Sequence, residues 1–347
     1  MNQAQFEATG SAPIPQPRHV AGTGLQVTWF GQWNVRLDDA LSRLPASDAC
    51  PHGLFRLLAS NTIGHRKRIA LVHEENTPVA IAALRRTPDE RWVPVTHYIV
   101  PGFVLPSQPG RVLDAVASLG VTVDLGFWRS EQGPQSHGAV RRFWSEPSFG
   151  MDTADDFEAY WRKTGELYSI RAARRKCGGF SVGLNQPGAA ELIIEEWGEA
   201  WGVDRDEIAD RVAAAEYMEN DGRLVSILLM DEDRKVGGIT CIIHDDELVH
   251  GVPFRNHHYD KFGVGKYIFY LVFEVARKLN LKAVDLGGGH AYKRRFAPTK
   301  GSKYEMRVCG NVVRYQFDRA MRRLHRATHA GRPAGHMEQP GREMGSV

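Results

Sequence analysis

Apolar residues recur at Val264, Tyr267, Ile268, Leu271, Val272, Val275 and Leu279, the spacing of one helix face. A glycine-rich stretch, Phe262-Gly263-Val264-Gly265-Lys266, opens that helix. Val284-Asp285-Leu286 follows it as a short buried strand, broken by Gly287-Gly288-Gly289. Upstream, the pattern predicts a strand over Gly179–Gly183, amphipathic helices over Ala189–Trp201 and Asp204–Asn220, and a hairpin of Leu224–Met230 with Val236–His244. Glu247–Phe254 is a third strand. Asp204 with Glu207 three residues on reads as a capping box. A short segment, Tyr292–Phe296, leads to a final hairpin of Lys303–Cys309 with Asn311–Phe317, and Trp161–Cys177 reads as one helix. A meander followed by a crossover predicts a mixed α/β sheet flanked by helices.

The same layout occurs twice. Ile69–Leu84 reads strand, polar turn, strand, and so does Ser226–Cys241, 157 residues later. Val123-Asp124-Leu125-Gly126 recurs as Val284-Asp285-Leu286-Gly287 at an offset of 161, each after a helix-like stretch, Arg111–Leu119 or Lys266–Leu279. Matched order at similar spacing points to an internal duplication. The expected organisation is a first copy over 25–150, a linking helix over 151–178 and a second copy over 179–325. Residues 1–24 and 326–347, rich in Pro, Gln and Gly, are expected to lack fixed structure.

Composition narrows the classes. The 347 residues are 42% hydrophobic and 24% charged, as in a globular chain. A net charge of +3 is too small to attract DNA by bulk electrostatics. Cys50, Cys177, Cys241 and Cys309 have no CxxC spacing, which favours reduced thiols over a disulfide framework or zinc site. No apolar run approaches the length of a membrane span and no signal-peptide core is present, so the expected location is cytoplasmic. His257 and His258, if on a strand, face opposite ways, and no metal is expected. The basic run Arg171, Arg174, Arg175 and Lys176 reads as a solvated face.

The glycine loop carries the first chemical signal. Without Cβ atoms, main-chain amides at Gly263 and Gly265 can approach an anion closely, and the helix that follows directs its positive end at the same place. The expected ligand-holding residues are Phe262, Gly263, Val264, Gly265 and Lys266.

With that order of elements, Gly179–Phe317 resembles a GNAT acyltransferase domain. The stretches VDLGGGHAYKRRF and YWRKTGELYSIRAARRK resemble those of double-GNAT proteins, the cellulose-biosynthesis-type acetyltransferases and their FemAB-like relatives. The resemblance implies a degenerate first copy, in which Ser107-Gln108-Pro109-Gly110 replaces the glycine loop. It also implies acetyl-CoA or another acyl-CoA as co-substrate. In the family's pyrophosphate-binding signature the two glycines fall on Gly263 and Gly265. The leading basic or amide position falls on Asp260, a departure that either Lys261 or Lys266 is expected to offset.

Gly251-Val252-Pro253-Phe254 falls on the cofactor strand, where a break at Pro253 is expected to free the backbone of Val252 or Phe254 for pantetheine. Base candidates are His250, Glu247 and Asp285, the last equally a cap for the following turn. The resemblance places on Tyr292 the acid for the leaving thiolate, and on Lys293 an ammonium for the oxyanion or a substrate anion. The implied activity is N- or O-acyl transfer to a small polar acceptor, a sugar, amino sugar or amino-acid-like molecule. An aminoacyl-tRNA-dependent transferase and a non-catalytic partner in polysaccharide synthesis are the alternatives.

Overall fold

Two hairpins with continuous apolar runs form the centre of each half. The computed structural model describes residues 18–19, 25–44, 51–60, 67–86, 92–95, 103–104, 123–129, 140–244, 246–288, 290–308, 317 and 320. In the first half β1 (Arg18–His19) and β2 (Leu25–Phe30) precede α1 (Val35–Ser42) and α2 (His52–Ser60). Then come β3 (Lys67–Glu74), β4 (Thr77–Arg86), β5 (Trp92–Pro94), β6 (Phe103–Val104), β7 (Val123–Arg129) and β8 (Val140–Asp152). The second half contains α3 (Phe157–Lys163), α4 (Leu167–Lys176), β9 (Ser181–Leu184), α5 (Ala189–Trp201) and α6 (Arg205–Asn220). The meander β10 (Leu224–Asp231), β11 (Arg234–His244) and β12 (Glu247–Arg255) leads to α7 (Val264–Lys278), β13 (Ala283–Gly287) and β14 (Thr299–Val308). Helix starts follow local chemistry. The Asn34 side chain accepts the N–H groups of Arg36 and Leu37 at the head of α1, and Asp156 accepts that of Ala159 at α3.

The two expected sheets are joined into one, in the order β1-β2-β3-β4-β5-β7-β14-β8-β13-β12-β11-β10-β9, with β6 beside β4. Its middle is an exchange. β14, late in the chain, pairs with β7 of the first half, while β8 of the first half pairs with β13 of the second. β8 and β14 pair with each other between them.

The duplication is visible in the register. Lys67↔Arg85 through Val72↔Ala80 recur as Leu224↔Ile242 through Leu229↔Gly237, and both hairpins then slip at the same place. Both slips adjoin a two-residue turn whose first residue is left-handed, Glu75 or Glu232, each at φ +53°, so turn and register match together in the two copies.

Three expectations need correction. The Trp161–Cys177 helix is two helices, interrupted where Gly165 takes φ +79° in the left-handed region. Asp204 caps α6 through the N–H of Asp206, but Glu207 does not close a box; its carboxylate pairs with Arg85 and Arg211. The last strand begins earlier than expected, at Thr299, because its first residues already pair with β8 before β7 joins at Lys303. Arg111–Leu119, the Ser107–Gly110 loop and all but Phe317 of the Asn311–Phe317 arm lie outside the described residues.

One apolar core gathers α3, α4 and α7 over the second-half strands. Another spans the halves, bringing Leu54, Phe55 and Leu58 of α2 against Ala214, Ala215 and Met218 of α6. Beside it, Lys67 donates to Asp210 and Arg85 to Glu207, both across the joint. Burial pushes the Asp210 carboxyl up, against the opposing pull of Lys67 and Arg85. Removing one partner strands the other in a dry place. Lys67→Met is therefore expected to lower unfolding free energy by roughly 3–5 kcal/mol in urea, and the double variant Lys67→Met/Asp210→Leu to regain most of it. Equal losses in the single and double variants would show that the pair contributes nothing.

Candidate active site at the parting of two strands

β12 and β13 are paired at only three positions, Glu247↔Ala283, Leu248↔Val284 and Val249↔Asp285. β12 continues to Arg255 without β13, so the sheet opens into a wedge. The cause is a bulge. Ile239↔Pro253 is followed by Cys241↔His250, so β12 carries one extra residue opposite Thr240. Both bulge amides are satisfied by β11 side chains: Val252 N–H donates to Thr240 Oγ1 at 3.1 Å, and Gly251 N–H to the Cys241 sulfur. A Cβ on Gly251 would stand 2.5 Å from the Thr240 carbonyl oxygen, which explains the glycine there.

The bulge corrects the reading of Val252 and Phe254. Val252 spends its amide on Thr240. Strand alternation turns Phe254 the same way as Asn256, whose N–H reaches the Val236 carbonyl. The Phe254 ring is buried against Ala189, Ile193 and Leu228. The main chain facing the wedge is instead that of Pro253 and Arg255.

The glycine loop closes the wide end. His257–Phe262 is a 3₁₀ turn, so the two histidines are not on a strand. Gly263 ends it at φ +78° and opens α7. A Cβ on Gly263 would also approach that of Ala173 to 3.0 Å, so the loop sits tightly on α4. The Gly263 N–H donates to the Asp260 carbonyl, and the Gly263 carbonyl accepts from Lys266 and Tyr267. Among the described residues, no group accepts the N–H of Val264 or Gly265. Those two amides, at the positive end of a helix of 15 residues, form a ready anion seat. The Val264 side chain is core, and Phe262 packs on Phe180 and Tyr259.

Neither lysine offsets Asp260. Lys266 is drawn away to Glu166 Oε2 and Ser169 Oγ, both at 2.8 Å. Lys261 lies over the Phe262 ring. Asp260 is instead paired with Arg255, Nε to Oδ1 at 3.0 Å, and with His257 at 3.3 Å. Arg255 was not singled out from the sequence. Its Nη1 lies 4.0 Å from where a Gly265 side chain would begin, and its charge opposes the burial that raises the Tyr292 phenol. It therefore stands at the wedge mouth, between the open amides and Tyr292.

The other candidates divide. Tyr292 is 47% exposed, with its ring stacked on His290 and edge-on to Phe269 and Phe296. His250 is 5% exposed and lies flat against the same Phe269. The two thus share one phenyl ring, which stands between them. Lys293 is 4% exposed, and its ammonium donates to the carbonyls of Leu286 and Gly288, holding the glycine turn from inside. Asp285 accepts from Gly287 N–H at 2.7 Å and from Ser148, the geometry of a turn cap. By register it lies on the sheet face opposite His250. Glu247 sits at the closed end of the wedge and pairs with Lys300. The basic run of α4 is partly committed too: Arg171 pairs with Glu158, Arg174 covers the Tyr270 ring and Lys176 donates to the Lys261 carbonyl.

The Ala291–Arg295 turn that carries Tyr292 is pinned by α3 and the residue after it. Tyr160, Trp161 and Thr164 donate to the carbonyls of Arg294, Phe296 and Arg295. Cys177 and Cys241 are buried, with thiols pushed up to about 11 and about 12, so neither offers a thiolate near neutral pH. A hollow of about 650 Å³ lies beside the 3₁₀ turn, lined by Glu196, Asp231, Arg234, Tyr259 and Phe262; it does not include Tyr292, His250 or Gly265.

Glu166 is the joint beneath the loop. Its carboxylate, on a residue 7% exposed, receives Lys266, Ser169 and Arg295, so α4, α7 and the Tyr292 turn meet on one charge. Burial alone would raise its pKa. The hydrogen bonds from Lys266 and Ser169, with the charges of Lys266 and Arg295, outweigh burial and hold it below the usual range. A depressed carboxyl stabilises the fold above its unfolded pKa and loses that contribution as pH falls through the folded value. Glu166→Gln is expected to cost roughly 1.5–3 kcal/mol at pH 7 by urea unfolding. The difference from the parent chain should shrink below about pH 4; a gap of constant size would show that the charge is irrelevant.

Comparisons with known proteins agree with this architecture. Residues 167–294 match the acetyltransferase (GNAT) domain family. The chain is similar in structure to L-PGS from Bacillus licheniformis, with 12% identity, a TM-score of 0.50, and 85% of this chain and 98% of that one covered. It is also similar to FemX (11%, 0.42, 84% and 99%) and to a tandem GNAT protein from the clavulanic acid pathway (11%, 0.47, 82% and 97%). No curated protein matches the sequence. Over residues 167–294 the chain is thus similar to a GNAT acetyltransferase domain.

Proposed function

We propose that this chain is an acyl-CoA-dependent N- or O-acyltransferase that transfers directly to a small polar acceptor. One observation carries the reading: the wedge between β12 and β13 ends at the open amides of Val264 and Gly265. A diphosphate fits those amides and Arg255, and the wedge leads from there towards Tyr292. The chemistry follows from the groups at the mouth. The acceptor nitrogen or oxygen attacks the thioester carbonyl, the C–S bond breaks, and the thiolate takes the proton of Tyr292. A phenol is protonated near neutral pH, as the step requires, and partial burial shifts this one further upward. His290, beside Tyr292, is held below the usual histidine range by burial and by Lys293, so its neutral ring accepts the proton lost by the acceptor. His250, beneath Phe269, forms the floor of the wedge.

Gly265 is the position for the test. A side chain there meets only the Arg255 tip, whereas one on Gly263 is strained by its positive φ. Gly265→Glu is expected to weaken binding of CoA and acetyl-CoA at least about tenfold by calorimetry, with the melting temperature unchanged. Undiminished affinity in a folded Gly265→Glu protein would remove the loop from the reading. A parent chain indifferent to both compounds would remove acyl-CoA.

A further inference from the structure

Asp260 stands where the family signature expects a basic or amide group, at the rim of an anion seat, and its negative charge is held by two neighbours. Arg255 grips it through Nε, while Nη1 of the same guanidinium reaches towards Gly265. The pair is about half exposed, with side chains 49% and 46% accessible, so a solute can reach it. The backbone of Asp260 has a separate duty, since its carbonyl accepts the Gly263 N–H and shapes the turn. Side chain and main chain of this residue are therefore independent parts. An exposed ion pair is weak on its own and exchanges partners readily, whereas a guanidinium and a phosphate make a stronger, two-pronged contact.

We propose that Arg255 is the anion-reading side chain of the wedge and that Asp260 is its internal counter-ion, a latch that an incoming phosphate group displaces. The idea rests on the acyl-CoA reading for the identity of the ligand, but not for the existence of the latch. With the seat empty, Asp260 holds Arg255 at the rim. A phosphate on the amides of Val264 and Gly265 takes over the guanidinium, and Asp260 keeps His257 as its partner. The latch sets a threshold: a ligand with too little negative charge does not open it.

Calorimetry on the full chain at fixed ionic strength tests this with three probes: CoA, inorganic pyrophosphate, and pantetheine, which has no phosphate. Arg255→Gln is expected to weaken CoA and pyrophosphate about tenfold. Asp260→Asn, which leaves the main-chain turn intact, is expected to tighten both several-fold, about three- to tenfold. Pantetheine is expected to bind the parent and both variants alike. Thermal melting of each variant checks that the fold is kept. Parallel or absent shifts in folded variants would overturn the latch, and if the parent still takes CoA the acyl-CoA reading survives. Opposed shifts for pyrophosphate in a chain that ignores CoA would keep the latch and sink the acyl-CoA reading. A parent that binds neither CoA nor pyrophosphate sinks both.

Discussion

β13 is held by β8, and that support lets it leave β12. A strand that departs from its neighbour ordinarily orphans a row of amides and carbonyls, each costly when buried. Here the opposite edge of β13 is paired from Ala283↔Asp152 to Gly287↔Phe149, and the bulge amides of β12 are satisfied by Thr240 and Cys241. Where β13 leaves β12, Lys293 takes the carbonyls of Leu286 and Gly288, while the main chain of Pro253 and Arg255 faces the wedge. The wedge also depends on the first half, because β8 belongs to that half. The exchange of β8 and β14 makes one copy structural support for the chemistry of the other.

Below the wedge, electrostatics does the positioning. Glu166 collects two cations and a hydroxyl, and each comes from an element that borders the loop. Lys266 is thereby taken out of the anion seat and made part of its foundation. Lys293 has a similar fate under the glycine turn. Lys266 directly follows Gly265 and Lys293 directly follows Tyr292, places where a ligand contact is the natural reading, yet each ammonium is held by oxygen atoms of the protein. The cation left at the rim is Arg255, which local sequence does not mark.

The legible and illegible parts separate by range. The α7 helix, the β13 strand and the two hairpins were readable because hydrophobic period and glycine position are local signals. The repeat was readable because register is copied along with sequence. The break at Gly165 was hidden, since apolar spacing runs on through Trp161, Leu167 and Ile170. Glu207 read as a capping residue because its actual partner, Arg85, lies 122 residues away. The bulge left a faint mark, Gly251 two residues before Pro253. Nothing nearby shows that Thr240 and Cys241 satisfy its amides.

The two hairpins differ at the residues that border the wedge. Counting back 157 residues, Thr240 falls on Ala83 and Cys241 on Leu84, so the first copy lacks both side chains that satisfy bulge amides. Gly237 and Gly238 fall on Ala80 and Ile81. In the second copy those glycines are required: a Cβ on Gly237 would meet Val264 at 2.7 Å, and one on Gly238 would meet Ile193 at 2.8 Å. They let α7 and α5 lie close to the strand, and the closeness of α7 brings the open amides of Val264 and Gly265 to the wedge. In the first copy Ile81 and Leu84 are fully buried and fill that space with hydrocarbon. The first hairpin has hydrocarbon where the second has glycine and polar side chains, and the sheet joins the two.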